Sequence, residues 1–119
     1  MVKRSSVRLR LHDILEAIEG IRGTVAGIDF ETYRTTWHIR RAVERGIEII
    51  SEASRHIPDE LKREHPRIPW HEIAAIGNLL RHEYQRVDDR IMWRVVERYL
   101  PELEEAVGEM ARRADRRNG

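Results

Sequence analysis

The chain contains no cysteine. That excludes disulfide staples, thiolate nucleophiles and sulfur-ligated metal sites, and it fits a reducing compartment. No apolar run approaches the roughly 18 residues that a membrane-spanning helix needs. The basic start, MVKRSSVRLRLHDILEAI, is interrupted by Asp13 and Glu16. A signal peptide tolerates such charges poorly, so a cytoplasmic location is expected. A large excess of one charge is missing too. Charged residues make up 36% of the chain, yet they cancel to +1. The pI of about 8.2 falls short of a dedicated nucleic-acid binder, so any contact with RNA would use a local patch. There is no internal repeat, low-complexity segment or long linker. The 119 residues are read as one domain, 1–119, able to bury a single core without staples.

What is present is helical periodicity almost throughout. Leu11, Ile14, Leu15, Ile18, Ile21 and Val25 follow the 3.6-residue period and predict a first helix over about 7–25. A second helix is expected from Phe30 or Glu31, capped by Asp29, with Tyr33, Trp37, Val43, Ile47, Ile50 and Ser54 facing inward. The segment IPDELKREHPRIPW carries three prolines and reads as a connection with one short helical turn. Pro69 suits the first position of a third helix, whose stripe is Ile73, Ile76, Leu80 and Tyr84. Asp88 or Asp89 then caps a fourth helix with Ile91 or Met92, Val95, Val96, Tyr99, Leu103, Val107 and Met110 inward. Pro101 predicts a kink or brief break there. Four amphipathic helices with short joins predict an all-α, up-and-down four-helix bundle with a short extra helix. The arginines of the tail, Arg112, Arg113, Arg116 and Arg117, read first as a solvated helix end.

The run from Gly77 to Asp88, GNLLRHEYQRVD, carries the chemistry-bearing side chains. It sets Asn78, Arg81, His82 and Tyr84 within seven residues of helix. Asn78 and His82 lie four apart and share a face. Asparagine is mildly unfavourable inside a helix, so Asn78 is expected to have a partner. Glu44, Glu48 and Glu52 repeat at four-residue spacing and read as a solvated face paired with Arg41, Arg45 and Arg55. The six histidines show no metal-ligand spacing. His71 and His82 lie near one face but about 16 Å apart along the helix, too far to share an ion.

Taken together, ILEAIEGI, RAVERGIEIISEA, the IPW before the third helix, HEY and VDDRIMWRVV resemble the HepT-type (DUF86) toxins of the HEPN-domain family in order and spacing. The resemblance covers nearly the whole chain. It implies an HEPN-like bundle that forms a homodimer, with two copies of a motif meeting in one cleft. It also implies a metal-independent endoribonuclease, active without a cofactor, and a toxin–antitoxin pair. The antitoxin is a minimal nucleotidyltransferase encoded nearby, which attaches AMP to the motif tyrosine. Carried onto this chain, the histidine is His82, the polar residue Asn78 and the tyrosine Tyr84. The family arginine stands directly before the polar residue, where this chain has Gly77. Arg81, beside the histidine, is the nearest guanidinium. Glu52 falls where the family often has a glutamate facing the bundle.

RNA can be cut without a metal, because its 2′-hydroxyl attacks the adjacent phosphorus. Histidine suits the proton transfers, since its pKa lies near neutrality. Arginine suits the phosphate, since its fork presents several donors. His82 is therefore cast as general base or acid, Arg81 as the phosphate holder and Asn78 as an orienting amide. The alternative is a catalytically silent helical module that binds a nucleotidyltransferase, with Gly77 marking the lost activity. His82 as a core histidine and Tyr84 as a core ring are the structural alternatives.

Overall fold

The structure, a computed structural model, describes residues 4–83, 85 and 87–118, and these form α1 (Arg4–Val25), α2 (Phe30–Thr35), α3 (Trp37–Ser54), α4 (Asp59–Lys62), α5 (Trp70–Glu83), α6 (Asp89–Arg94), a π-helical turn (Val95–Tyr99) and α7 (Leu100–Asn118). No strand occurs among the described residues. The all-α, HEPN-like bundle expected from the sequence is what is found.

α1 buries Leu11, Ile14, Ile18 and Ile21, the expected stripe. It ends where Gly27 takes the left-handed conformation, φ +75°, which costs glycine nothing. Asp29 then caps α2 by accepting the Thr32 N–H at 2.8 Å.

The expected second helix is broken. Thr36 is extended, and its hydroxyl and that of Thr35 donate back to the carbonyls of Thr32 (2.6 Å) and Glu31 (2.7 Å). Such side-chain bonds offer the backbone an alternative to continuing the helix. The break re-aims the chain, so α3 starts with Trp37 on the outside. Its ring, placed inward by the sequence pattern, is instead 66% exposed. Further along α3, Val43, Ile47, Ile50 and Ser54 are buried as expected.

The proline-rich connection is tied down by Trp70. Its indole N–H is shared between the carbonyls of Lys62 and His65, both at 3.2 Å. Pro69 lies one residue ahead of α5 and accepts the Ile73 N–H at 3.0 Å. Asp88 caps α6 through the Arg90 N–H at 2.7 Å, and Met92, not Ile91, is the inward residue. The break attributed to Pro101 falls just before it. Proline has no N–H and its ring crowds the carbonyl four residues back. The chain widens into a π turn, where the Leu100 N–H reaches back to Val95 O. Tyr99, expected in the core, is left 38% exposed by this turn.

α1 packs between α3 and α7, and α5 packs chiefly on α3. α3 meets α1 closely at Gly46, where an added Cβ would lie 2.6 Å from Ile21 Cγ1. α1 and α7 run antiparallel and are laced by polar pairs. Asp115 accepts from Arg8 Nε at 2.6 Å and lies 3.1 Å from His12 Nε2, while Arg22 pairs with Glu104.

The Arg8 hydrogen bond, then that of His12, holds the Asp115 carboxyl below its ordinary value of 3.8. A depressed carboxyl contributes stability above its unfolded pKa and loses it as pH falls through the folded value. Urea midpoints measured between pH 5 and pH 2 should therefore fall more steeply for the wild-type chain than for Asp115→Asn. Parallel profiles would show that this clasp adds nothing.

Candidate active site on α5

The α5 helix has two unlike faces. Gly77 and Leu80 are buried against the bundle, while Asn78, Leu79, Arg81 and His82 are exposed. His82 is not sealed in the core, and its imidazole makes no hydrogen bond to the described residues. Asn78 has the partner that its helical position suggested: Arg81 Nη2 donates to its Oδ1 at 3.3 Å. The same guanidinium reaches Glu52 on α3, with Nη1 to Oε2 at 3.8 Å. Glu52 also faces His56, one turn on, at 3.4 Å. Tyr84 lies outside the described residues.

Of these side chains, Arg81 and Glu52 line a cleft of about 200 Å³ between α1, α3 and α5, together with Arg10, Asp13, Arg45 and Glu48, while Asn78, His82 and His56 lie outside its lining. The Arg81–Glu52 pair is about half exposed on both sides. An exposed pair of this kind is worth at most about 1 kcal/mol. A phosphate can offer the guanidinium two charged oxygens in the plane of its fork, a stronger contact than the carboxylate at 3.8 Å. The cleft thus holds a cation whose present partner is easily exchanged.

Gly77 explains why no cation stands one turn earlier. A Cβ there would overlap both Oγ and Cβ of Ser51. The helices touch at this point, and Ser51 Oγ and Arg55 Nη2 both donate to the Ala74 carbonyl, at 3.1 and 2.9 Å. Arg81 is one turn beyond Gly77, about 40° further round the helix, and both line the cleft. Helix side chains lean toward the N-terminus, so its guanidinium is carried back over the turn that Gly77 leaves bare.

The acidic ladder on α3 departs from expectation. Arg41 pairs with Glu44 at 3.1 Å and Arg45 with Glu48 at 3.4 Å. Glu44, however, is buried rather than solvated. Burial raises its pKa, with Arg41 and Arg40 pulling the other way. Arg55 serves α5's backbone instead of the ladder, leaving Glu52 to Arg81 and His56. His56 is the residue that the sequence reading passed over, and its four-residue spacing from Glu52 was the available signal.

The family described as "Ribonuclease HepT-like" matches residues 14–110. Among similar proteins, "Probable ribonuclease HepT" of Thermococcus cleftensis is 44% identical over 93 residues, covering 78% of this chain and 84% of that protein. A "Putative RNase" of Caldanaerobacter subterraneus is 39% identical over 100 residues, with 84% and 89% covered. A "Putative RNase" of Methanocaldococcus jannaschii is 32% identical over 106 residues, with 89% and 97% covered. No solved structure matches the chain.

The Ser51–Gly77 contact predicts that a side chain cannot simply be put back at position 77. Gly77→Ala should cost about 1–3 kcal/mol by overpacking, and Gly77→Arg more. In a Ser51→Gly background the cost of Gly77→Ala should shrink, a coupling that thermal melts of the four chains would read. Additive losses would mean the two positions do not share a contact.

Proposed function

The chain belongs to the HepT-like ribonuclease family, and on that premise we propose that it is the toxin of a toxin–antitoxin pair. In this reading it is a metal-independent endoribonuclease that works as a homodimer. A minimal nucleotidyltransferase encoded nearby neutralises it by adding AMP to Tyr84. The observation that carries the nuclease reading is the solvent-facing edge of α5, where Arg81 is bonded to Asn78 beside a His82 whose imidazole makes no hydrogen bond to the described residues.

The reaction needs no outside reagent. A histidine takes the proton from the 2′-hydroxyl, and that oxygen forms a bond to the adjacent phosphorus. The bond from phosphorus to the 5′-oxygen breaks, and the leaving oxygen takes a proton from a second acid. His82 supplies one of these transfers and His82 of a second copy the other. Arg81 leaves Glu52 to hold the phosphate, where charge builds in the transition state. Asn78 keeps the guanidinium in plane. An imidazole already bonded across the bundle could do none of this, so its exposure supports the assignment.

The second copy has a suitable place to dock. α5 packs chiefly on α3, which leaves its far side beside an apolar groove of about 490 Å³. Ile73, Ile76, Leu79, Ile91, Val95 and Tyr99 line that groove, and Leu79, Ile91 and Tyr99 are partly exposed. An apolar surface of this kind next to the motif suits a partner subunit. AMP on Tyr84 would add negative charge and bulk near groups meant for an RNA phosphate, which blocks the cleft by repulsion.

One observation favours a second reading, a catalytically silent module that binds the nucleotidyltransferase: at Gly77 the bundle leaves no room for the family arginine. The two readings separate in cells lacking the antitoxin. The nuclease reading expects growth arrest and RNA cleavage that persists in chelator, reduced at least about 10²-fold by His82→Ala. Arg81→Lys should retain little activity, because a point charge does not replace the fork. A wild-type chain that is harmless and inert on RNA would reject the nuclease and leave the silent module. Co-expression with the neighbouring gene should raise the intact mass by one or more AMP units, and Tyr84→Phe should remove that gain. An unchanged mass would reject the regulatory part.

A further inference from the structure

We propose that the outer face of α3 is a track for single-stranded RNA, along which Trp37 stacks a base several nucleotides from the phosphate held at Arg81. This rests on the ribonuclease reading above. Trp37 is the most exposed aromatic side chain described, at 66%. Leaving such a ring in water forfeits a large apolar burial. Its neighbours are polar rather than apolar. His38 follows it in sequence, Arg41 lies a turn after it on α3, and the Arg41 guanidinium sits 5.8 Å from the ring centroid. A protein-docking centre is typically an apolar patch with a polar rim, which is what the Leu79, Ile91 and Tyr99 groove offers instead. An exposed ring beside a guanidinium is the arrangement that stacks a base and holds the adjoining phosphate.

The ring also points along the right line. Trp37, Arg41, Arg45, Glu48 and Glu52 recur at helical spacing and fall within an arc of roughly 80° on α3. That arc ends in the cleft where Arg45, Glu48, Glu52 and Arg81 meet. α5 runs antiparallel to α3, with Ser51 against Gly77 and Arg55 against Ala74. That register sets His82 level with about Gly46, and about nine residues of α3 then separate it from Trp37, or about 14 Å. At about 3.4 Å per stacked nucleotide, the gap holds roughly four nucleotides. Arg45, whose side chain is 71% exposed, and Arg41 stand between the two ends. Glu44 and Glu48 pair with these arginines, so the track is not uniformly positive. Affinity along it depends on the ring more than on net charge.

The test is fluorescence anisotropy with a labelled oligouridylate of about 12 nucleotides, long enough to span the roughly four-nucleotide gap with both ends to spare, in a His82→Ala background that does not cut it. Trp37→Ala should raise Kd about tenfold, within the range for one stacked base, while Trp37→Phe stays within about threefold, since a smaller ring still stacks. Binding of a trinucleotide, too short to reach the ring, should be insensitive to either change. Circular dichroism confirms that each variant is folded, and Trp37→Phe keeps the comparison interpretable if alanine unfolds the corner. Equal Kd values on the long oligonucleotide with and without Trp37→Ala would overturn the track and leave the ribonuclease reading standing, provided the chain that retains His82 still cleaves. No RNA binding with or without the substitution, together with no cleavage by the wild type, would overturn both. A Trp37→Ala chain that loses its dimer mass in light scattering yet binds RNA normally would make the ring a protein contact and overturn the track.

Discussion

The contact between Ser51 and Gly77 is the constraint on which the site depends. Two helices can approach this closely only where one side offers no side chain and the other a short one. The hydroxyl then reaches the Ala74 carbonyl, and Arg55 reaches the same oxygen from the next turn. Together these bonds fix how far α5 has slid along α3. The slide in turn decides that Arg81 meets Glu52, and that Asn78 and His82 face outward. A second close approach, Gly46 against Ile21, seats α3 on α1 by the same means. The bundle is therefore indexed by two glycines in its interior, and its polar motif inherits its aim from them.

Much of this architecture was legible in the sequence where one signal acted alone. The stripe from Leu11 to Val25 had no competing pattern, and Leu11, Ile14, Ile18 and Ile21 are buried as read, with Leu15 and Val25 partly so. Asp29 and Asp88 are short acceptors ahead of helical runs, and both cap. The reading failed where two local effects competed. Threonines at 35 and 36 sit inside an apolar period, and their hydroxyls outcompete it for the backbone. Trp37 was then counted on a stripe belonging to a helix that had already ended. Pro101 was recognised as a disturbance, but periodicity does not say on which side a helix will absorb it. Glu44 shows a third kind of miss, because a ladder of glutamates gives no sign of which one the neighbouring elements will cover.

The site was legible to a different degree. Spacing placed Asn78, Arg81 and His82 on neighbouring parts of one helix, and the Arg81–Asn78 bond follows from their three-residue offset. Their relation to α3 could not be read that way, since it depends on the helix slide. The resemblance to a known family supplied the roles, and it made Gly77 look like a deficit. Packing gives Gly77 another meaning: the position is occupied by the neighbouring helix, and the guanidinium one turn on lines the same cleft. Tyr84 remains an assignment made on sequence alone.

The π turn from Val95 to Tyr99 has a consequence for how this half of the chain can vary. Each wide turn holds about one residue more than an α turn. The π turn absorbs its extra residue locally, and Met92, Val96, Leu100, Leu103 and Val107 are all buried across it. Removing one residue from the bulge would give an ordinary α turn, and the helices on either side would keep their buried faces. Chain length can therefore change by one residue at this junction, whereas the same deletion inside a regular helix would turn everything beyond it by about a hundred degrees.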